Sequence, residues 1–149
     1  MQSHEWRREG YCITTDPRRV EVDVVHGFLG QESSWARGIP RETVQRSVEN
    51  AMCFTLLENG RQIGFARVIS DRATVAYVGD VFVLPQYRGR GLSKWLMECV
   101  MSHPELQHLR RWILLTGDAH ELYRRFGFRS LSNPERYMEI HDPDVYTRT

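Results

Sequence analysis

The chain has 149 residues, 41% of them hydrophobic and 26% charged, with a formal net charge of +1 at neutral pH. That length is most simply one domain, 1–149, with enough apolar material for a real core. The small net charge excludes the global basic field that gathers nucleic acid, and no apolar run is long enough to cross a bilayer. Cys12, Cys53 and Cys99 are far apart, make no C-x-x-C pair and sit in apolar runs. There a free thiol behaves as a small hydrophobe, so a reducing, cytoplasmic setting is expected. The N-terminus has no apolar stretch of the secretory kind. None of the six histidines falls in a metal-binding spacing, so no metal is expected.

Residues 11–15 read as a short strand that ends at Asp16-Pro17. Residues 18–29 fit either period. Val20, Val22 and Val24 alternate like a strand, while Val24, Val25, Phe28 and Leu29 share a helical face, and the Asp-Pro start tips the reading toward a helix. A loop carrying Trp35 follows. Pro40 suits the first position of a second helix, whose apolar stripe is Val44 and Val48. Residues 52–57 and 62–69 read as strands joined by Glu58-Asn-Gly-Arg61, a strong hairpin signal. Residues 73–84 form a long third strand, so three consecutive antiparallel strands are expected.

Residues 92–102 read as a helix, because Leu92, Trp95, Leu96, Cys99 and Val100 recur at three and four residues. His103-Pro104 stops it. Residues 112–116 read as a buried strand, parallel to the long one because a helix crosses between them. Asp118 is expected to cap a last helix with the stripe Ala119, Leu122, Tyr123 and Phe126, and Gly127 to end it. Residues 128–131 and 137–141 read as short closing strands. The pattern is α+β.

The segment from Val81 to Lys94 carries the chemistry. A β-rich run ends at Pro85, and Gln86-Tyr-Arg-Gly-Arg-Gly91 then turns the chain into the helix that starts at Leu92. Glycines let backbone amides approach a ligand closely, and a helix N-terminus favours an anion. Arg88, Arg90 and Lys94 add positive charge around the turn. The sequence lacks the Gly-Lys-Ser/Thr ending of a Walker loop and the third glycine of a Rossmann fingerprint. A tight strand-to-helix turn alone would be satisfied by one glycine.

Gln86-Tyr-Arg-Gly89-Arg-Gly91 resembles the Q/R-x-x-G-x-G/A signature of the GNAT (Gcn5-related) N-acetyltransferases. Leu122-Tyr-Arg-Arg-Phe-Gly-Phe128 is similar to that family's second hallmark, a tyrosine-bearing helix that ends in Gly-Phe. The specific part of the resemblance covers roughly residues 73–131. Ser93 stands where the family often has glycine or alanine, and Thr116 stands where an asparagine commonly opens the second helix.

The resemblance implies an acyl-CoA N-acyltransferase fold. Its sheet is mixed, mostly antiparallel and twisted, with one central parallel strand pair and about four flanking helices. It implies acetyl-CoA as co-substrate, held by Val81, Phe82, Val83, Gln86, Arg88, Gly89, Arg90, Gly91, Leu92, Ser93 and Lys94. It implies direct attack in a ternary complex, with Tyr123 as acid for the leaving thiolate and a backbone amide near Val83 for the oxyanion.

Asp80 is the candidate for attracting the acceptor ammonium or passing its proton to water; a structural ion pair with Arg67 is the competing reading. Trp35, Arg67, Tyr77 and His120 are candidate acceptor-binding residues. The expected partner is a small-molecule primary amine. A peptide amine, or a regulatory module that binds acyl-CoA without turnover, are the alternatives. A monomer or a homodimer fits equally.

Overall fold

The computed structural model describes residues 2–148. Six strands lie in the order β1 (Glu5–Arg8), β2 (Tyr11–Thr14), β3 (Met52–Glu58), β4 (Arg61–Ser70), β5 (Val75–Val83) and β6 (Arg111–Leu114). Every neighbouring pair is antiparallel except β5 and β6, which run parallel through Val75↔Arg111 to Val78↔Leu114. Four α-helices flank the sheet: α1 (Val22–Gly27), α2 (Arg41–Glu49), α3 (Leu92–Ser102) and α4 (His120–Arg124). A wider turn over Phe28–Glu32 continues α1. The expected α+β architecture is thereby present, including the three-stranded meander and the parallel crossover.

Alternation along the strands divides the core between the two faces of the sheet. On one face Phe54, Leu56, Val68, Ala76 and Val78 pack with Leu92, Trp95, Leu96 and Val100 of α3 and Tyr123 of α4. On the other, Cys53, Phe65 and Phe82 pack with Val25, Phe28 and Leu29, and with Val44 and Val48 of α2. The β3–β4 hairpin turns on Asn59 and Gly60, both with positive φ (50° and 81°), as the Asn-Gly signal requires.

Several expectations are corrected. β1 had no counterpart in the sequence reading; one apolar residue, Trp6, stacks over Phe54 and anchors it. Asp118 does not cap α4. Ala119 occupies the cap, and its amide donates to the Thr116 hydroxyl at 3.0 Å. Residues 128–131 and 137–141 form no strand, so the parallel pair closes one end of the sheet. Among the described residues, no helix is long and apolar enough to cross a membrane, and no cluster of metal-ligating side chains is present.

Candidate active site

One irregularity in β5 creates the site. Arg67 pairs with Gly79, yet Phe65 pairs with Phe82, so Asp80 and Val81 together face Ala66. That is a β-bulge, and Asp80 adopts a left-handed φ of 52° to make it. The extra residue keeps Val81 and Val83 on the α3 face with Val78 while Phe82 points into the other core. Pairing of β5 with β6 stops just before it, at Val78↔Leu114.

The two parallel strands therefore part, and a cleft of about 790 Å³ opens between them. Gly79, Asp80 and Val81 form one wall, and Leu115, Thr116, Gly117, Asp118 and Ala119 the other. The Leu84 amide donates to the Ile63 carbonyl at 2.8 Å. Strand alternation then turns the Val81 and Val83 amides away from β4, toward the edge that β6 has left.

Asp80 is locked from two sides. Arg67 Nε donates to Oδ2 at 2.7 Å and Trp35 Nε1 to Oδ1 at 2.9 Å. The Arg67 and Asp80 side chains are only 17% and 10% exposed. The ion pair weighed in the sequence reading is thus present, and it lies in the cleft wall. Tyr123 lines the same cleft, is buried, and carries a hydroxyl with no hydrogen bond among the described residues. Burial, and then the charge of Asp118, push its pKa above the usual phenol value.

The glycine turn lies beyond the bulge. Pro85–Tyr87 form a tight turn, and Gly89 and Gly91 take φ of 81° and 75°. A Cβ at either would meet nothing within 4 Å, so it is backbone conformation and open approach, not packing, that select glycine. The backbone amides of Gly89, Arg90, Gly91, Leu92, Ser93 and Lys94 find no acceptor among the described residues. This row of free donors at the start of α3 fits a pyrophosphate.

The side chains of the turn divide. Gln86 and Lys94 are exposed and Ser93 partly so, while the Leu92 and Phe82 side chains are core, leaving only their backbone for a ligand. Arg88 Nε donates to the Val83 carbonyl at 3.0 Å. Arg90 is drawn to the Tyr11 hydroxyl at 2.7 Å and the Glu58 carboxylate at 3.7 Å. Neither arginine hangs free over the turn.

Of the acceptor candidates, Trp35, Arg67 and Tyr77 line the cleft; His120 is exposed and does not. Thr43 and Ser47 of α2 and Tyr146 near the C-terminus also line it, and the sequence reading had missed them. The stripe of α2 marks its buried face and not its ends. Tyr146 is a lone aromatic in a polar tail, and no local pattern singles it out.

A parallel pair thus parts beside a bulge, next to a free-amide turn at a helix start, an arrangement suited to an anion-bearing ligand. The Acetyltransferase (GNAT) domain family matches residues 49–130, and the chain belongs to the GNAT acetyltransferases, which use acetyl-CoA. A GNAT-family protein from Xanthomonas campestris pv. campestris superposes with a TM-score of 0.91 and 48% identity, covering 93% of this chain and 97% of that one. The acetyltransferase-like protein FG08082 of Gibberella zeae is 29% identical over 141 residues, 79% of this chain and 78% of its own. A Clostridium acetobutylicum protein crystallised with acetyl-CoA shares the fold at 15% identity and a TM-score of 0.62, over 88% of this chain and 94% of that one.

Proposed function

We propose that the enzyme acetylates a primary amine of a small molecule, by direct attack on acetyl-CoA with both substrates bound. The observation that carries this reading is that Asp80 and Tyr123 face one cleft, opened where β5 and β6 part. Its volume, about 790 Å³, falls in the small-ligand range. Bound acetyl-CoA supplies an activated thioester; the chain supplies position, charge and protons.

The free amides from Gly89 to Lys94 hold the pyrophosphate. The Val81 and Val83 amides on the open edge orient the pantetheine arm and stabilise the oxyanion. An alkyl ammonium must lose a proton before it attacks, at a cost of about 4–5 kcal/mol at neutral pH. Asp80, fixed by Arg67 and Trp35, draws the ammonium into the cleft and passes its proton to water. Tyr123 gives its hydroxyl proton, or a hydrogen bond, to the departing thiolate. The free thiols of Cys12, Cys53 and Cys99 suit a reducing cytoplasm.

The test is thiol release from acetyl-CoA across a panel of small primary amines and amine-bearing peptides. Acceptor-dependent release with a small amine supports the reading. Release with peptides alone overturns the small-molecule assignment.

A further inference from the structure

Arg67 spends one of its donors and keeps the others. Nε donates to Asp80 at 2.7 Å, while the terminal nitrogens Nη1 and Nη2 make no hydrogen bond to any described residue. Nor are they sealed in. Among the described residues Thr55 Oγ1 is the one buried side-chain polar atom without a partner, so both terminal nitrogens keep some access. The Arg67 side chain lines the cleft and is otherwise covered, so that access is from the cleft. Asp80 fixes the plane of the guanidinium through Nε, and its free end is held in place without being used.

The space beside it is kept clear. Across the ladder Arg67 is paired with Gly79, which brings no side chain to lie against the guanidinium. A Cβ at Gly79 would stand 3.1 Å from the Tyr77 ring. Among the described side chains that line the cleft, Arg67 carries the one positive charge, and Asp80 and Asp118 carry the negative ones. The cation with unused donors and the carboxylate that draws in the ammonium are thus in direct contact.

Resting on the small-amine reading and narrowing it, we propose that the acceptor is a free amino acid. Its carboxylate binds Nη1 and Nη2 of Arg67, and its ammonium binds Asp80. The parallel N–H groups of a guanidinium match the two oxygens of a carboxylate. Because Arg67 and Asp80 touch, the acceptor's anion and ammonium must be near neighbours too, as they are in an α- or β-amino acid. Bound this way, the zwitterion and the Arg67–Asp80 pair set unlike charges side by side in alternation, with none left over. A doubly charged phosphate would leave negative charge in a cleft that Asp118 already makes acidic. Acetylation turns the ammonium into a neutral amide. The product is then a net anion with no cation to offer Asp80, which favours its release.

Thiol release from acetyl-CoA with matched acceptors tests this. Each protein amino acid, and β-alanine, is compared with its carboxamide and with the amine left when the carboxyl group is removed. The expected result for the native enzyme is that kcat/KM for the best amino acid exceeds that of both its partners by roughly 10²-fold or more. Arg67→Lys keeps a cation beside Asp80 and loses the fork. Its preference for the amino acid over the two partners is expected to fall by roughly tenfold or more, through a rise in KM for the amino acid. Retained thermal stabilisation by acetyl-CoA shows that the variant is folded; if it is not, the native ratios decide alone.

A carboxamide or carboxyl-free amine that turns over as well as its amino acid overturns the proposal and leaves the small-amine reading standing. Arg67 is then a scaffold cation whose free end is merely solvated. An unchanged preference in folded Arg67→Lys overturns it as well, because the carboxylate is then held elsewhere. Release with peptides alone, or with no amine at all, overturns both.

Discussion

Arg67 and Asp80 face each other across β4 and β5 with Nε and Oδ2 2.7 Å apart, at the bulge that opens the cleft. Removing the cation strands a nearly buried carboxylate. Arg67→Ala is expected to cost about 2–3 kcal/mol, below the 3–5 of a fully buried pair because Trp35 still donates and some water reaches the site. Urea unfolding of the two proteins measures it.

Asp80→Asn separates scaffold from anchor. The amide retains a hydrogen bond to Trp35 and loses the charge. If Asp80 draws in the ammonium, KM for the acceptor rises roughly 10–100-fold while that for acetyl-CoA stays put. Unchanged acceptor KM in the folded variant assigns Asp80 to the scaffold alone.

Tyr123→Phe is expected to lower kcat by roughly 10²-fold with acetyl-CoA affinity retained. Burial and Asp118 hold the phenol protonated above its ordinary value of about 10. The protonated form is the active one, so this group takes activity away only as pH rises past about 10. A kcat–pH profile with that alkaline fall in the native enzyme, and without it in Tyr123→Phe, is the expected outcome; full turnover in the variant removes Tyr123 from the chemistry.

Gly91→Glu is expected to abolish thermal stabilisation by acetyl-CoA. The carboxylate stands where the amides await an anion, and a non-glycine residue at φ 75° adds about 1–2 kcal/mol of strain. Gly91→Ala isolates the strain: it lowers Tm without eliminating the acetyl-CoA shift.

Burial pushes the Cys53 and Cys99 thiols up to about 12. In the unfolded chain they titrate near 8.5. The folded state therefore holds these protons more tightly. Stability from this source is complete below about pH 8.5 and is lost as pH rises toward 12. Unfolding midpoints measured upward from pH 8 are expected to decline, and less steeply in Cys53→Ala/Cys99→Ala once the cavity cost at pH 7 is subtracted. A thiol reagent at pH 8 is expected to modify the half-buried Cys12 alone in the native protein.

Much of the fold lay open in the sequence because local chemistry and tertiary demand agree. Five apolar residues at helical spacing placed α3, and Asn59-Gly60 placed the hairpin. Asp118, two residues before α4, reads as its cap, but Thr116, four residues before, is a capping residue type as well and is the one that accepts from the Ala119 amide. The bulge left a trace that went unread: Gly79-Asp80 interrupts a run of good β-formers, and Asp80 takes positive φ there. Residues 137–141 alternate as a strand does, but alternation reports readiness to pair and not the presence of a partner. Trp35 and Thr43, Tyr77, and Tyr146 meet in the cleft from three distant parts of the chain, a convergence that no local spacing encodes.

The bulge at Asp80 is in the end a matter of odd and even. With one residue fewer between Val78 and Phe82, β5 would stay in step with β4 and be free to continue beside β6, and the ladder would zip shut over the space where the reaction runs. Loops around the cleft can lengthen or shrink to suit different acceptors. The residue count of this one strand cannot change without erasing the place they serve.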